Sequence, residues 1–269
     1  MQLREVVAVV AILTTAAAAG FKATATPARS KPQRPHLEGA LKNVSADFKT
    51  PDEAARKLQN LANQLRSANN NLSLFPSVYT ITIANTMAGL RNAEFYRPQW
   101  AYQLVLNYAN LYRRTIYNEL SGHRERVPQG WQLDFGYCEQ RTNYIPDLDL
   151  VYGINVHIAR DLVEALYLTP TNFSDDLQRA DFFQITEVLR QAMPQIWQVF
   201  LSYSQARNLP PSLEQDAMMN WISRLRAGVW ENAKKSYHLT AKGRQNYLMQ
   251  LDAWLSEQAR KHGLLLPLL

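Results

Sequence analysis

Cysteine is almost missing from this chain: Cys138 is the only one in 269 residues. A lone thiol excludes any intrachain disulfide, so stability has to come from packing. Histidine is scarce too, with only His36, His123, His157, His238 and His262. That inventory permits one histidine-ligated metal ion and excludes a three-metal cluster. There is no Gly-rich phosphate loop, no Gly-x-Ser-x-Gly nucleophile elbow and no His-Glu-x-x-His pair, which removes the reaction classes built on those motifs. No internal repeat is visible. The uncharged run from Val6 to Ala19 is too short to span a bilayer comfortably.

That run does have the length of a signal-peptide core, and Arg4 precedes it. Small residues offer cleavage after Ala19 or after Ala25. Residues 1–25 therefore read as a signal peptide, and the protein as exported to the periplasm or secreted, with an uncleaved N-terminal anchor as the alternative. Residues 26–49 follow as a basic, proline-containing linker with Arg29, Lys31, Arg34 and Lys42 among Pro27, Pro32 and Pro35. Such a stretch reads as a solvated tether rather than a nucleic-acid or lipid arm. The formal charge is +6 and 46% of residues are hydrophobic, enough to bury the core of one large domain over residues 50–269.

From residue 50 the punctuation is helical. "TPDE", Thr50 to Glu53, is a capping box with proline at the first helical position. "SG" at Ser121 and Gly122 stops a helix that starts at Pro98, and His123 to Asp149 reads as a looser region. A helix from Asp175 breaks or kinks at Pro194, and "SLEQ" at Ser212 opens another. Tyr79 to Ile83 alternates like a strand, yet no second strand is near to pair with it, so helix is expected. The fold class is all-α, a single bundle of seven to nine helices. The six tryptophans, Trp100, Trp131, Trp197, Trp221, Trp230 and Trp254, are expected mostly in the core.

One stretch, "GINVHIARDL" from Gly153 to Leu162, sets polar residues among aliphatic ones. At about 100° per residue, His157, Arg160, Asp161 and Glu164 share a sector of roughly 100°, and apolar side chains cover the rest. A helix apolar over so wide an arc is central in its bundle, with its polar sector facing a cleft or a neighbouring helix. His157 and Asp161 are four apart, close enough to share a hydrogen bond or a divalent ion such as Zn²⁺ or Mn²⁺. Two readings stay open. A single ion held by His157, Asp161 and Asp181 or His123 would activate water for hydrolysis of a phosphoester or lipid-like substrate. Alternatively the pair is a polar latch inside a non-catalytic binding module for a small-molecule or lipid-like ligand. Asp181, beside Phe182 and Phe183, is either the third ligand or the partner of Arg91 or Arg226. Glu164 completes a structural polar stripe, and Asn155 is expected to tie down "PDLDLVYG" before it.

"GINVHIARDLVEAL" also resembles the signature of an uncharacterised family of all-helical bacterial domains of unknown function, with Gly-x-Asn-x-His-Ile-x-x-Asp-Leu on a central helix. "FPSVYTITIANTM", "EFYRPQWAYQLVLNYANLY", "PQGWQLDF", "RADFFQITEVLRQAMPQIW" and "RLRAGVWENAKKS" extend the likeness over roughly residues 50 to 265. The resemblance implies the fold and the place of the site, and carries no reaction. A weaker resemblance is to the zinc-dependent phospholipase C and S1/P1 nuclease superfamily, which implies His157 and Asp161 as metal ligands. The chain departs from that pattern, reading "LVEALYL" where further histidines should follow the aspartate.

Overall fold

The computed structural model describes residues 37–139, 144–203 and 211–261. Among them the fold is helical throughout, with no strand. In chain order the helices are α1 (Glu38–Val44), α2 (Pro51–Ser67), α3 (Leu74–Arg91), α4 (Pro98–Leu120) and α5 (Gln129–Cys138). A rod, α6, follows: it runs Pro146–Val156, passes through a π turn at His157–Asp161 and resumes over Leu162–Leu168. Next come α7 (Asp176–Leu201), α8 (Pro211–Ser236) and α9 (Ala241–Lys261). With the rod taken as one helix, this is the all-α bundle the sequence leads one to expect.

Local chemistry explains most of the boundaries. Thr50 caps α2 by accepting from the Glu53 amide at 3.0 Å, and the Glu53 carboxylate reaches back to the Lys49 amide at 2.6 Å. At the end of α4, Gly122 takes φ +84°. There the His123 and Gly122 amides bond to the Asn118 and Glu119 carbonyls, the paired C-terminal arrangement that a residue without Cβ allows. Tyr79 to Ile83 is helical because α3 is buried on nearly every face. A helix surrounded by packing needs no amphipathic stripe, so its β-branched alternation does not decide its structure.

Several expectations need correction. The linker does not extend to residue 49: α1 and the turn after it are packed into the bundle, with Ala40, Val44 and Phe48 in the core. Asn110 fixes that turn by bonding both the amide and the carbonyl of Phe48. The looser region from His123 to Asp149 contains α5, a short helix whose apolar pattern is diluted by Gly130 and Gly136. Pro194 does not end α7, which continues to Leu201. Ser212 lies inside α8 rather than capping it, because that helix already includes Pro211. Five of the six tryptophans are core residues, and Trp254 is exposed.

The rod α6 is central, contacted by α3, α4, α5, α8 and α9. Its approach to α3 is so close that a Cβ placed on Gly153 would lie 2.5 Å from Phe75 Cδ2. The glycine that opens the polar stretch is therefore a packing residue. Gly153→Ala must move Phe75 or part the two helices, and overpacking of this kind typically destabilises by about 1–3 kcal/mol. Urea denaturation measures it; a loss under about 0.5 kcal/mol, the surface range, would show that the Phe75 ring yields freely.

Candidate functional site

The site begins at the π turn. One-turn widenings of this kind inside α-helices occur frequently at functional sites. Here the turn contains His157 and Asp161, both buried. Asp161 is held by three donors: Trp131 Nε1 at 2.8 Å and His157 Nδ1 at 3.1 Å on Oδ2, and Arg160 Nη1 at 2.6 Å on Oδ1. Burial alone would raise its pKa, but the His157 hydrogen bond and the Arg160 guanidinium outweigh that and hold the carboxyl below its usual range. The charge is passed outward. Arg160 also meets Glu164 at 2.8 Å, and Glu164 meets Arg114 of α4 at 3.0 Å. Alternating signs from Arg114 to Asp161 leave no buried charge uncompensated.

His157 follows from this arrangement. Burial drives its pKa below the ordinary histidine value, with the Asp161 hydrogen bond opposing only in part, so the ring is neutral at pH 7. With Nδ1–H donated to the carboxylate, the lone pair is on Nε2, which is buried without a hydrogen-bond partner. Rings fix its plane. Tyr108 stacks on it at 3.7 Å and 8°, while Tyr79 and Phe75 meet it edge-on at 4.6 and 5.4 Å.

Beside His157 lies a cavity of about 70 Å³. Its wall is mostly apolar, including Leu150, Ile154, Met193, Ile196 and Met218. Its polar lining residues include His157, Tyr79, Tyr108, Thr82 and, from α8, Arg226. Both phenol oxygens are buried without a partner. Arg226 is buried, donates Nε to Thr186 at 2.8 Å and Nη2 to the Phe182 carbonyl at 2.9 Å, and lies over the Phe182 ring. Burial lowers its pKa to about 10, opposed by the nearby phenols.

The sequence candidates separate. His157 and Asp161 meet, and Glu164 joins them as a structural polar residue. Asp181 does not join them: its carboxylate accepts from the Tyr96 amide at 2.8 Å and the Arg97 amide at 2.6 Å, tying the entry of α4 to α7. It does not bind Arg226, and Arg91 pairs instead with Asp52 at 3.1 Å. His123 is an exposed residue near Glu125. Asn155 is part-exposed, makes no side-chain hydrogen bond among the described residues, and so does not tie down the segment before it. A divalent ion at His157 and Asp161 would have to displace Trp131, the imidazole N–H or Arg160 from a carboxylate whose oxygens are both engaged. The residues present do not fit an ion there.

A second buried group went unread in the sequence as a unit. Ligand atoms of Asp134, Cys138 and Asp149 lie within 4.8 Å of one another, and such a group could hold a metal ion. Cys138 Sγ donates to Asp149 Oδ1 at 3.2 Å, and the Tyr144 hydroxyl donates to Oδ2. Burial raises Asp149 to about 7 and pushes Asp134 and Cys138 well up. Burial thus favours the protonated, uncharged forms of all three.

Over residues 52–263 the chain matches the family described as "Family of unknown function (DUF5995)". It belongs to that family. No curated protein and no solved structure matches it. The DUF5995 match begins in the first turn of α2, so α1 lies outside it although α1 is packed into the same core. Within the DUF5995 region, sequence reasoning placed Trp131 in the core but missed its role as donor to Asp161. It took Arg226 only as a partner for Asp181. The signal that could have found it was the helical spacing that puts Arg226 on one side with the apolar Ile222, Val229 and Trp230, away from Arg224. Among the described residues, no helix is long and apolar enough to cross a membrane.

Proposed function

We propose that this protein is an exported helical binding module that takes a small apolar molecule into the cavity beside His157, with the His157–Asp161 pair as its internal polar latch. The observation that carries the reading is the cavity itself: mostly apolar walls, lined also by His157, Tyr79 and Tyr108, whose buried polar atoms have no hydrogen-bond partner among the described residues. Mostly apolar concavities with a few placed polar groups are the common form of a small-molecule site. The latch fixes the imidazole tautomer and orientation, so that Nε2 is presented as an acceptor without rearrangement. Export rests on Arg4 and the uncharged run from Val6 to Ala19.

The test is thermal unfolding of the full chain with 1-alkanols from butanol to octanol, each an apolar body with one hydroxyl. A ligand present at about a hundred times its dissociation constant stabilises by roughly 2.7 kcal/mol, which for a domain of this size raises the melting point by about 5–10 °C. Leu189 lines the cavity and is only partly buried, so Leu189→Trp should fill the space and abolish the shift while the protein stays folded. Alcohols that leave the wild-type melting point unmoved across the series would overturn the reading.

A further inference from the structure

We infer that the cavity ligand carries a carboxylate, received by Arg226 at the polar end of the pocket. The inference rests on the cavity being a ligand site. It starts from a mismatch: Arg226 is a buried cation lining an apolar cavity, and no carboxylate pairs with it among the described residues. The other arginine of the site, the part-buried Arg160, is paired twice, with Asp161 and Glu164. Arg226 has instead a threonine hydroxyl, a backbone carbonyl and an aromatic face. Those contacts orient the guanidinium without neutralising it, and its Nη1 makes no hydrogen bond among the described residues. A guanidinium is the side chain best matched to a planar carboxylate.

The neighbours fit the same ligand. The Tyr79 and Tyr108 hydroxyls are buried without partners and close enough for the Arg226 charge to act on both. A carboxylate has lone pairs for the guanidinium and for phenol O–H donors at once, whereas an amide or alcohol offers fewer and no charge. No acidic side chain lines the cavity to repel it, and the carboxylate of Asp161, bonded to His157, is already held by Arg160 and Trp131 as well. The body of the ligand is apolar and small. About 70 Å³ is less than the roughly 150 Å³ that holds a benzene molecule in an engineered cavity, although the flexible Met193 and Met218 side chains in the wall can give way to a longer chain. The class is thus a short- to medium-chain monocarboxylic acid.

The experiment titrates the full chain calorimetrically with butyrate and octanoate, each against its own uncharged amide, at pH 8, where the acids are ionised. The expected result is one-to-one binding of at least one acid, at least about tenfold tighter than its amide, with the preference lost in Arg226→Gln. Should that variant fail to fold, the wild-type comparison of acid with amide decides alone. Acid and amide binding equally overturns the carboxylate assignment and leaves the cavity reading standing. If neither acids, amides nor the alkanols bind, the cavity reading falls and takes this inference with it.

Discussion

Asp161→Ala is expected to lower the unfolding free energy by about 3–5 kcal/mol, the usual result of removing one partner from a buried ion pair. The carboxylate is fully buried and accepts from three donors, so its loss strands the His157 Nδ1–H and the Trp131 Nε1–H in the interior and takes one of two partners from the part-buried Arg160 guanidinium. Arg160 keeps Glu164, which limits the damage on that side. The double variant Arg160→Met with Asp161→Leu should recover part of the loss, because replacing both charges by apolar groups of similar size leaves fewer groups unsatisfied. Urea denaturation of the three proteins reads this directly. A single-variant loss under about 1 kcal/mol, the range of exposed pairs, would show that the network is open to water and that the imidazole is not locked.

What the sequence revealed and what it hid divide along the range of the interactions. Thr50 with Glu53, Ser121 with Gly122, and the wide apolar arc of α6 were legible because capping, left-handed turns and helical periodicity are set by residues within a few positions of each other. The His157–Asp161 pair was legible for the same reason, being one turn long. Its partners were not. Trp131 comes from α5, Arg226 from α8 and the phenols from α3 and α4, and only the packing of the rod against those helices brings them together. Asp181 illustrates the converse: its type and apolar surroundings suggested a ligand, but the unpaired backbone amides at the entry of α4 need an acceptor, and the buried carboxylate supplies it. The Asp134, Cys138 and Asp149 group was hidden because α5 was read as loop, so the one-turn spacing of Asp134 and Cys138 had no helix to lie on.

The second large effect falls on Trp131, and it separates packing from hydrogen bonding at the latch. The indole is fully buried, packed against Phe75, Tyr112 and Phe135 with ring centres 5.2–5.3 Å apart, and its Nε1 bonds Asp161 at 2.8 Å. Trp131→Ala removes both contributions and leaves a cavity at the junction of α3, α4, α5 and α6, so about 3–5 kcal/mol should be lost. Trp131→Phe keeps most of the ring contacts and deletes only the donor, for an expected loss of about 1–3 kcal/mol. The smaller change should also act at a distance. With one donor gone, the Asp161 carboxylate becomes a stronger acceptor and favours the charged imidazole more against the opposing burial, so His157 should take up a proton at higher pH than in the wild type, a shift that ring-proton NMR can follow. If Phe costs as much as Ala, the hydrogen bond rather than the packing dominates the site. If Phe costs less than about 0.5 kcal/mol, the surface range, and leaves the His157 titration in place, then Asp161 is satisfied without the indole and Trp131 is only a core residue.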